Sequence, residues 1–206
     1  MAQKKAATLP IDAELAKIAL AGETHRLLLH CCCAPCASYV LEYLSPIFDI
    51  TAFFFNPNIK SRDEYDRRAN EFGKLPLAGG YPNNVDLYVC KYEPDVYETA
   101  AAPYIGEPEG GLRCRACFDV RLSETAGFAK KHGYDYFVTT LSVSPHKNTA
   151  VLNETGERLA AAYGVKYLNS DFKKRDGFKR SIQLSRQYGL YRQSYCGCGT
   201  SASDIL

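Results

Sequence analysis

Apolar residues along this chain fall into short runs that alternate with amphipathic segments. Short apolar runs bounded by turn formers predict buried strands, and apolar residues spaced three and four apart predict helices. The predicted strands cover residues 27–29, 50–55, 85–90, 136–141 and 165–168. The predicted helices cover residues 38–44, 61–72, 94–102, 116–131, 154–163 and 178–188.

This alternation of strands and helices indicates a parallel sheet that is covered on both faces. We therefore expect an α/β protein with a three-layer, Rossmann-like fold of the HUP or ATP pyrophosphatase-like kind. Its sheet would contain about five mostly parallel strands, with helices on both faces. In such sheets the ligand crevice lies beyond the carboxyl ends of the strands, where the strand order reverses. Segments 30–36, 56–58 and 142–148 are predicted to lie there.

The first 25 residues differ from the rest and read as a helix-prone leader. Leu9, Ile11, Leu15 and Ile18 lie on one stripe, and Gly22 is a plausible stop. We predict an N-terminal helical extension at 1–25 and a single α/β catalytic domain at 26–206. That domain would end in a C-terminal helix and a Cys-Gly-Cys tail.

Composition narrows the class of protein. Hydrophobic residues make up 46% and charged residues 23% of 206 residues, which is typical of a globular chain. The apolar runs are too short to cross a bilayer and the start carries no signal core, so we expect a cytoplasmic protein without a membrane partner. Nine cysteines in a reducing compartment favour metal or redox chemistry over structural disulfides. A net charge of +2 does not by itself indicate a nucleic-acid partner.

Two cysteine motifs stand where helices are predicted to begin. Residues 30–36 read His-Cys-Cys-Cys-Ala-Pro-Cys, and residues 113–117 read Arg-Cys-Arg-Ala-Cys. The positive end of a helix dipole lowers thiol pKa values, and four thiolates suit either zinc or an iron-sulfur cluster. Adjacent Cys32 and Cys33 depart from the two CxxC pairs that are usual for structural zinc. Zinc nevertheless stays open at this point.

A third motif, Tyr195-Cys196-Gly-Cys198-Gly, lies near the C-terminus. Two cysteines separated by one glycine can form a strained disulfide that acts as a redox couple, or they can supply metal ligands instead.

Basic and aromatic residues are interleaved at 172–180 and 186–195, which is typical of RNA contact, although a solvated helix face would also explain them. Tyr191, Arg192 and Tyr195 are the candidates for that contact.

No phosphate-binding loop of the GxxxxGK[ST], GxGxxG or Ser-Gly-Gly type follows a predicted strand. This absence weighs against an ATP-using enzyme, including a sulfur transferase acting on tRNA. The cysteines stand where such a loop would lie.

Together, four segments resemble the cobalamin-independent epoxyqueuosine reductases of the QueH family. They are Leu-Leu-His-x-Cys-Cys-Ala-Pro-Cys at 28–36, Cys-x-x-Cys-x-x-x-Arg-Leu at 114–122, Thr-Thr-Leu-Ser-x-Ser-Pro at 139–145 and Tyr-Arg-Gln-x-Tyr-Cys-Gly-Cys at 191–198. The resemblance covers residues 26–200. It implies reduction of the epoxide of epoxyqueuosine to queuosine at the wobble position of tRNA, the last step of queuosine biosynthesis.

The resemblance also implies a 4Fe-4S cluster at Cys32, Cys33, Cys114 and Cys117, with a redox-active pair at Cys196 and Cys198. The partners would be a tRNA carrying epoxyqueuosine in its anticodon loop and an electron donor of unknown identity. One hypothesis from the residues is that Cys36 helps to hold an adjacent mononuclear iron, which would act as a Lewis acid.

Several assignments stay open on the sequence alone. Asp119, His146 and Lys147 are predicted near the crevice, but no proton donor is assigned. Cys90, at a strand end, is expected to be a small buried apolar residue, and Cys31 is expected to point to the opposite face from Cys32 if the strand extends that far. The alternative function is a non-catalytic, zinc-stabilised RNA-binding module.

Overall fold

The computed structural model describes residues 9–199. Five strands form one sheet: β1 (His25–His30), β2 (Phe48–Phe54), β3 (Val85–Val89), β4 (Tyr136–Thr139) and β5 (Lys166–Tyr167). The helices are α1 (Pro10–Ala21), α2 (Ala34–Leu44), α3 (Arg62–Phe72), α4 (Leu75–Gly79), α5 (Pro94–Ala101), α6 (Leu112–Lys131), α7 (Thr149–Tyr163) and α8 (Gly177–Gln187). Short 3-10 turns cover Ala102–Tyr104 and Thr140–Val143.

The sheet is parallel throughout and has the strand order β3-β2-β1-β4-β5. The three-layer α/β prediction is therefore confirmed. Because the chain moves outward from β1 to β3 and then returns to the other side of β1, the order reverses between β1 and β4. Their carboxyl ends meet there, with His30 paired with Phe53 on one side and with Thr139 on the other. A crevice at this point is the expected ligand site of the fold.

Alternate residues of the central strand face two cores, as the period of a strand requires. Leu27 and Leu29 belong to a core shared with α1, α2 and α3, while Leu28 belongs to a core shared with α6 and α7. All three leucines are fully buried. The sheet is thus fixed from both faces, which holds its carboxyl edge in place.

The leader is helical over the part that the structure describes. Ile11, Leu15 and Ile18 are buried in the first of these cores, and Gly22 ends α1 with a left-handed φ of 68°. A side chain is disfavoured in that conformation, which accounts for glycine at this stop. The part of the predicted extension before Leu9 lies outside the described residues, and the domain boundary at residue 25 stays a prediction. Within residues 9–199, none of the helices has both the length and the apolar character that a bilayer crossing requires.

Two helices begin four residues earlier than the apolar pattern predicts. Helix α2 starts at residue 34 where 38 was expected, and α6 starts at 112 where 116 was expected. The first turn of α2 contains Pro35 and Cys36, and that of α6 contains Cys114 between two arginines, so neither reads as an apolar stripe although both cysteines are buried. Both cysteine motifs are consequently part of rigid helix starts.

Candidate redox and metal site

Three thiols meet where β1 ends and α2 begins. The Sγ atoms of Cys32, Cys33 and Cys36 all lie within 4.8 Å of one another, and those of Cys32 and Cys33 are 3.7 Å apart. Cys33 occupies the N-cap position with an extended backbone, and Pro35 in the first turn has no N–H to satisfy. These three side chains form a group that can hold a metal ion.

Mutual contact shifts the pKa values of these thiols in opposite directions. Hydrogen bonds from Cys33 and Cys36 lower the pKa of Cys32 well below its usual value against the effect of burial, and the charge of Arg121 and the Thr140 hydroxyl add to this. The hydrogen bond with Cys32 is the main reason that the pKa of Cys33 rises to about 11, and burial and the charge on Cys32 act in the same direction. A thiolate at Cys32 beside two thiols can bind a metal ion once the two thiols release their protons.

The second cysteine pair lies on the first two turns of α6, one helical turn apart. Cys114 Sγ accepts a hydrogen bond from the backbone N–H of Gly110 at 3.2 Å. Arg121 Nη1 donates to Cys117 Sγ at 3.8 Å, although burial raises the pKa of that thiol. Cys32 packs against the apolar cluster that contains Cys114. The close sulfur group among the described residues includes Cys36 but neither Cys114 nor Cys117, which lie on α6.

A buried guanidinium joins the two motifs. Arg121 is 4% exposed, donates through Nη2 to Asn56 Oδ1 at 2.5 Å, and places Nε 3.3 Å from His30 Nε2. Burial and the Arg121 charge lower the pKa of His30 to about 3, so its imidazole is neutral near pH 7. His30 Nδ1 lies 2.8 Å from Thr139 Oγ1 across the strand reversal. A fixed positive charge therefore lies beside the thiols.

The sequence analysis gave no role to Asn56, His30 or Arg121. Signals for all three were nevertheless present. His30 and Asn56 each follow a strand at the predicted carboxyl edge, and Arg121 stands one turn after Cys117.

The third cysteine motif closes over the same crevice. Lys60 donates its backbone N–H to the carbonyl of Gly197 at 3.1 Å, which fastens the tail to the loop after β2. Cys198 Sγ donates to Cys196 Sγ at 3.4 Å, so the two sulfurs are in contact. Cys198 also packs in one apolar cluster with Cys117. The predicted redox pair thus lies beside the second cysteine pair.

Lys147 is the charged partner of the tail. Its Nζ lies 3.8 Å from Cys196 Sγ and 3.1 Å from Glu109 Oε1. The contact with Cys198 and burial raise the pKa of Cys196 far above its usual value, with Lys147 acting in the opposite direction.

Of the three polar residues predicted near the crevice, Lys147 lines it. His146 is exposed on the surface, and Asp119 pairs with Arg158 outside the crevice.

The first and third cysteine motifs line one cavity at the strand reversal, which we call the crevice cavity, whereas the described residues that line it do not include Cys114 or Cys117. The residues lining it are Cys32, Cys33, Pro35, Cys36, Asn56, Asn58, Ile59, Arg68, Arg121, Leu141, Ser144, Lys147, Phe178, Arg192, Gln193, Tyr195, Cys196 and Gly197. This lining has four basic side chains and, within the described part of the chain, no carboxylate. The cavity is suited to a polar or anionic ligand that reaches the thiols.

Buried polar atoms without hydrogen-bond partners mark the walls of this cavity. Asn58 Oδ1, Arg68 Nη2, Arg192 Nη1 and Gln193 Oε1 have no partner within residues 9–199, and all four residues line the crevice cavity. An unsatisfied buried group costs about 1–3 kcal/mol, so each of these atoms gains if a ligand supplies the missing partner.

The three residues predicted to contact RNA have different surroundings. Arg192 and Tyr195 line the crevice cavity, and Tyr195 is 40% exposed. Tyr191 is engaged with α3, where the Arg67 guanidinium carbon lies 3.4 Å from its ring centroid. Its backbone N–H donates to Glu71 Oε2 at 2.9 Å. Tyr191 therefore holds the tail in place, whereas Arg192 and Tyr195 face the cavity.

The two remaining cysteines do not line the crevice cavity. Cys31 is fully buried in the first core and donates its S–H to the carbonyl of Leu29 at 3.3 Å, and burial raises its pKa. Cys90, at the end of β3, is partly buried, and burial raises its pKa to about 12. Both behave as small apolar residues.

Fold and site together define an α/β protein with a group of thiols that could hold a metal ion at the topological switch point of a parallel sheet. The model of the family Epoxyqueuosine reductase QueH matches residues 27–204. The chain belongs to this family.

Named relatives support the assignment over most of the chain. "Epoxyqueuosine reductase QueH" of Streptococcus pyogenes serotype M1 is 45% identical over 179 residues, covering 84% of this chain and 68% of the relative. The protein of the same name from Acinetobacter baylyi is 35% identical over 190 residues, covering 91% and 85%. That from Thermotoga maritima is 36% identical over 180 residues, covering 84% and 88%.

Proposed function

We propose that this chain is an epoxyqueuosine reductase, which converts the epoxide of epoxyqueuosine in tRNA to the alkene of queuosine without cobalamin. The observation that carries the proposal is the crevice cavity, where thiols from α2 and from the tail face one space in a chain of the QueH family. This reaction is the last step of queuosine biosynthesis.

The donor set fits an iron-sulfur cofactor. Cys32, Cys33, Cys114 and Cys117 are soft sulfur ligands on two helix starts, and three of the four are buried. Arg121 places a buried positive charge where the negative charge of a cluster would lie. We assign a 4Fe-4S cluster to these four residues, and when bound it supplies electrons one at a time. Cys36, close to Cys32 and Cys33, is the residue that we assign to an additional iron.

Cys196 and Cys198 supply the electron pair. Loss of an epoxide oxygen to leave an alkene and water consumes two electrons and two protons. Oxidation of two thiols to a disulfide releases the same number of each. The sulfur contact at 3.4 Å needs little movement to become a bond, and Lys147 offsets negative charge on Cys196 as its proton leaves. A bound cluster would be able to supply electrons to this pair or to receive them from it with the same stoichiometry.

The walls of the cavity account for recognition of a nucleoside. A wobble base in a single-stranded anticodon loop can be splayed out and stacked on aromatic or guanidinium groups. Tyr195 and Arg192 offer such groups at the mouth, and Asn58 and Gln193 offer acceptor oxygens that lack partners. The basic lining favours the phosphates on either side of the base.

The direct test is an anaerobic assay on tRNA that contains epoxyqueuosine, with a chemical reductant and no added cobalamin. Nucleoside mass spectrometry measures conversion to queuosine. We expect conversion by the iron-loaded protein and, in Cys196→Ser, loss of turnover with the iron content unchanged. Cys31→Ser is the matched control because that thiol lies in the core away from the cavity.

Metal analysis separates this function from the zinc alternative. An iron-sulfur protein is brown, whereas a zinc protein is colourless. A colourless, zinc-loaded chain that binds tRNA without converting it would refute the reductase and favour the RNA-binding module.

A further inference from the structure

A second cleft lies on the far side of the Cys-Gly-Cys segment. Cys196 lines the crevice cavity, whereas Cys198 lines this other cleft, which has a volume of about 360 Å³. The two thiols therefore stand in the wall between two separate spaces. A reagent in the second cleft reaches the pair through Cys198 without entering the space assigned to the nucleoside.

The lining of the second cleft is apolar with one buried cation. Ala101, Ala102 and Ile105 form its apolar side, and Ile105 is 84% exposed at the rim. Arg113 is only 6% exposed, and its Nε has no hydrogen-bond partner within the described residues. A buried guanidinium N–H that lacks a partner beside a small apolar cleft indicates an anionic ligand.

Two further charged side chains complete the cleft. Lys60 adds a second cation, and Glu98 adds a carboxylate on the exposed side. This arrangement suits a short molecule whose carboxylate contacts Arg113 and whose apolar stem crosses the alanines. A thiol at the other end of such a molecule would lie at Cys198.

We propose that the second cleft binds a low-molecular-weight thiol carrying a carboxylate, and that this thiol reduces the Cys196–Cys198 disulfide by attacking Cys198. The proposal rests on the redox role assigned above to this pair. The thiolate forms a bond to Cys198 Sγ, the disulfide bond breaks, and Cys196 leaves as a thiolate. A second molecule of the thiol attacks the first one's sulfur, so that the small disulfide departs and Cys198 is released as a thiolate. Two small thiols are oxidised and one protein disulfide is reduced.

The surroundings of Cys196 favour this direction of attack. The ammonium of Lys147, 3.8 Å from Cys196 Sγ, stabilises the thiolate that leaves. Cys198, in contrast, packs with Tyr97, Ala101 and Cys117. Reduction through the second cleft also allows the pair to be renewed while a tRNA occupies the crevice cavity.

The test uses the anaerobic, iron-loaded Cys196→Ser variant, in which Cys198 is the remaining thiol of the pair. Two small disulfides of similar length serve as probes: 3,3′-dithiodipropionate, which carries carboxylates, and bis(2-hydroxyethyl) disulfide, which is neutral. Intact-mass and peptide analysis measure the rate at which Cys198 forms a mixed disulfide. Each rate is divided by the rate of the same probe with a free model thiol, which removes differences in intrinsic reactivity.

We expect the carboxylate probe to react about tenfold faster than the neutral probe after this correction, because a charge-assisted contact with Arg113 holds it. Arg113→Gln should bring the ratio close to one. Ala102→Trp should slow both probes by about tenfold by filling the cleft, whereas Thr99→Trp, at an exposed position of α5 outside the cleft, should leave both rates unchanged.

Equal corrected rates for the two probes, or unchanged rates in Ala102→Trp, would overturn the thiol site. If Arg113→Gln loses iron because it adjoins Cys114, then Lys60→Gln and the Ala102→Trp comparison still decide the matter. A separate measurement tests the redox pair on which this proposal rests. If the wild-type protein treated with a thiol oxidant does not lose the mass of two hydrogen atoms at Cys196 and Cys198, these residues do not form a redox pair.

Discussion

Replacement of Arg121 by methionine tests whether one buried guanidinium holds the site together. Methionine fills a similar volume but removes the charge and the donors that contact Asn56, His30 and Cys117. The bond to Asn56 Oδ1 is short, at 2.5 Å, and both partners are buried. The substitution therefore leaves an acceptor without its donor inside the protein.

The size of the effect follows from two opposing terms. Loss of a charged hydrogen bond together with an orphaned buried acceptor costs about 3–5 kcal/mol. Removing a buried charge returns part of the desolvation cost of the guanidinium, so the net loss in free energy of unfolding should be about 2–3 kcal/mol. Arg158→Met is the control because its partnership with Asp119 is exposed, and such pairs contribute about 1 kcal/mol or less.

Denaturant unfolding of the metal-free protein gives these free energies without a contribution from metal release. NMR titration of His30 supplies a second measurement. Burial is the main reason that the pKa of His30 is low and the Arg121 charge adds to it, so in Arg121→Met the pKa should rise while remaining below 6.5. A stability loss no larger than that of Arg158→Met, with the His30 titration unchanged, would show that Arg121 does not organise this network.

Three further predictions concern separate parts of the chain. Gly197→Ala should reduce turnover several-fold with little change in iron content. The Cβ of the alanine would lie 2.8 Å from Ile59 Cγ1 and would displace the tail. Steady-state kinetics and an iron assay check this prediction. Cys36→Ser should lower the total iron by about one atom per chain and leave the visible cluster spectrum in place, as metal analysis would measure, if this residue holds the additional iron. Asp12→Asn should reduce the free energy of unfolding at pH 7 and flatten the loss of stability in acid. Burial raises the pKa of Asp12, but hydrogen bonds from Leu9 and Arg175 outweigh it and lower this pKa below 3.8. The carboxylate therefore stabilises the fold above pH 3.8, and this contribution disappears as the pH falls through the folded pKa. Urea unfolding across the acid range measures this, and parallel curves for the two proteins would contradict it.

The three inner strands, β1, β2 and β4, were predictable because each contains a short apolar run, and parallel strands buried on both faces have that composition. The helix starts were less predictable. Helix α7 begins at Thr149, five residues before the predicted start at 154, and Asn148 caps it by accepting from the N–H groups of Ala150 and Val151. Asparagine is a preferred N-cap residue, so Asn148 indicated this helix start although the apolar pattern did not.

Strand β4 ends earlier than predicted for a related local reason. The Thr139 side chain accepts a hydrogen bond from the N–H of Leu141, and the chain turns into a 3-10 helix where the apolar run predicted more strand. Periodicity alone does not distinguish these two outcomes, because both bury the same residues. This turn also presents Thr140 to Cys32, whose Sγ accepts from the threonine hydroxyl at 3.5 Å.

At the site, the sequence predicted which cysteine motifs matter but not which sulfurs are nearest neighbours. Spacing identified the motifs at 32–36 and 114–117, whereas the close group of Cys32, Cys33 and Cys36 depends on how the first turn of α2 is oriented. The unpartnered atoms of Asn58 and Gln193 were beyond prediction because an unsatisfied group is recognisable only once its surroundings are known.

The convergence of the two cysteine motifs has a topological cause. In a parallel sheet every connection leaves one strand at the carboxyl edge and must enter the next strand at the opposite edge, so a crossover helix packed on the sheet begins near the carboxyl edge. Cys33 is the N-cap of α2, which follows β1, and Cys114 is in the first turn of α6, which precedes β4. Because β1 and β4 are neighbours across the strand reversal, the starts of these two helices lie at the same edge of the sheet. Many proteins of this architecture direct the positive ends of helix dipoles at phosphate, whereas here cysteines occupy the starts of two such helices. A helix dipole favours any negative charge placed at its start, which gives an electrostatic reason why cysteines can stand in the place of a phosphate loop.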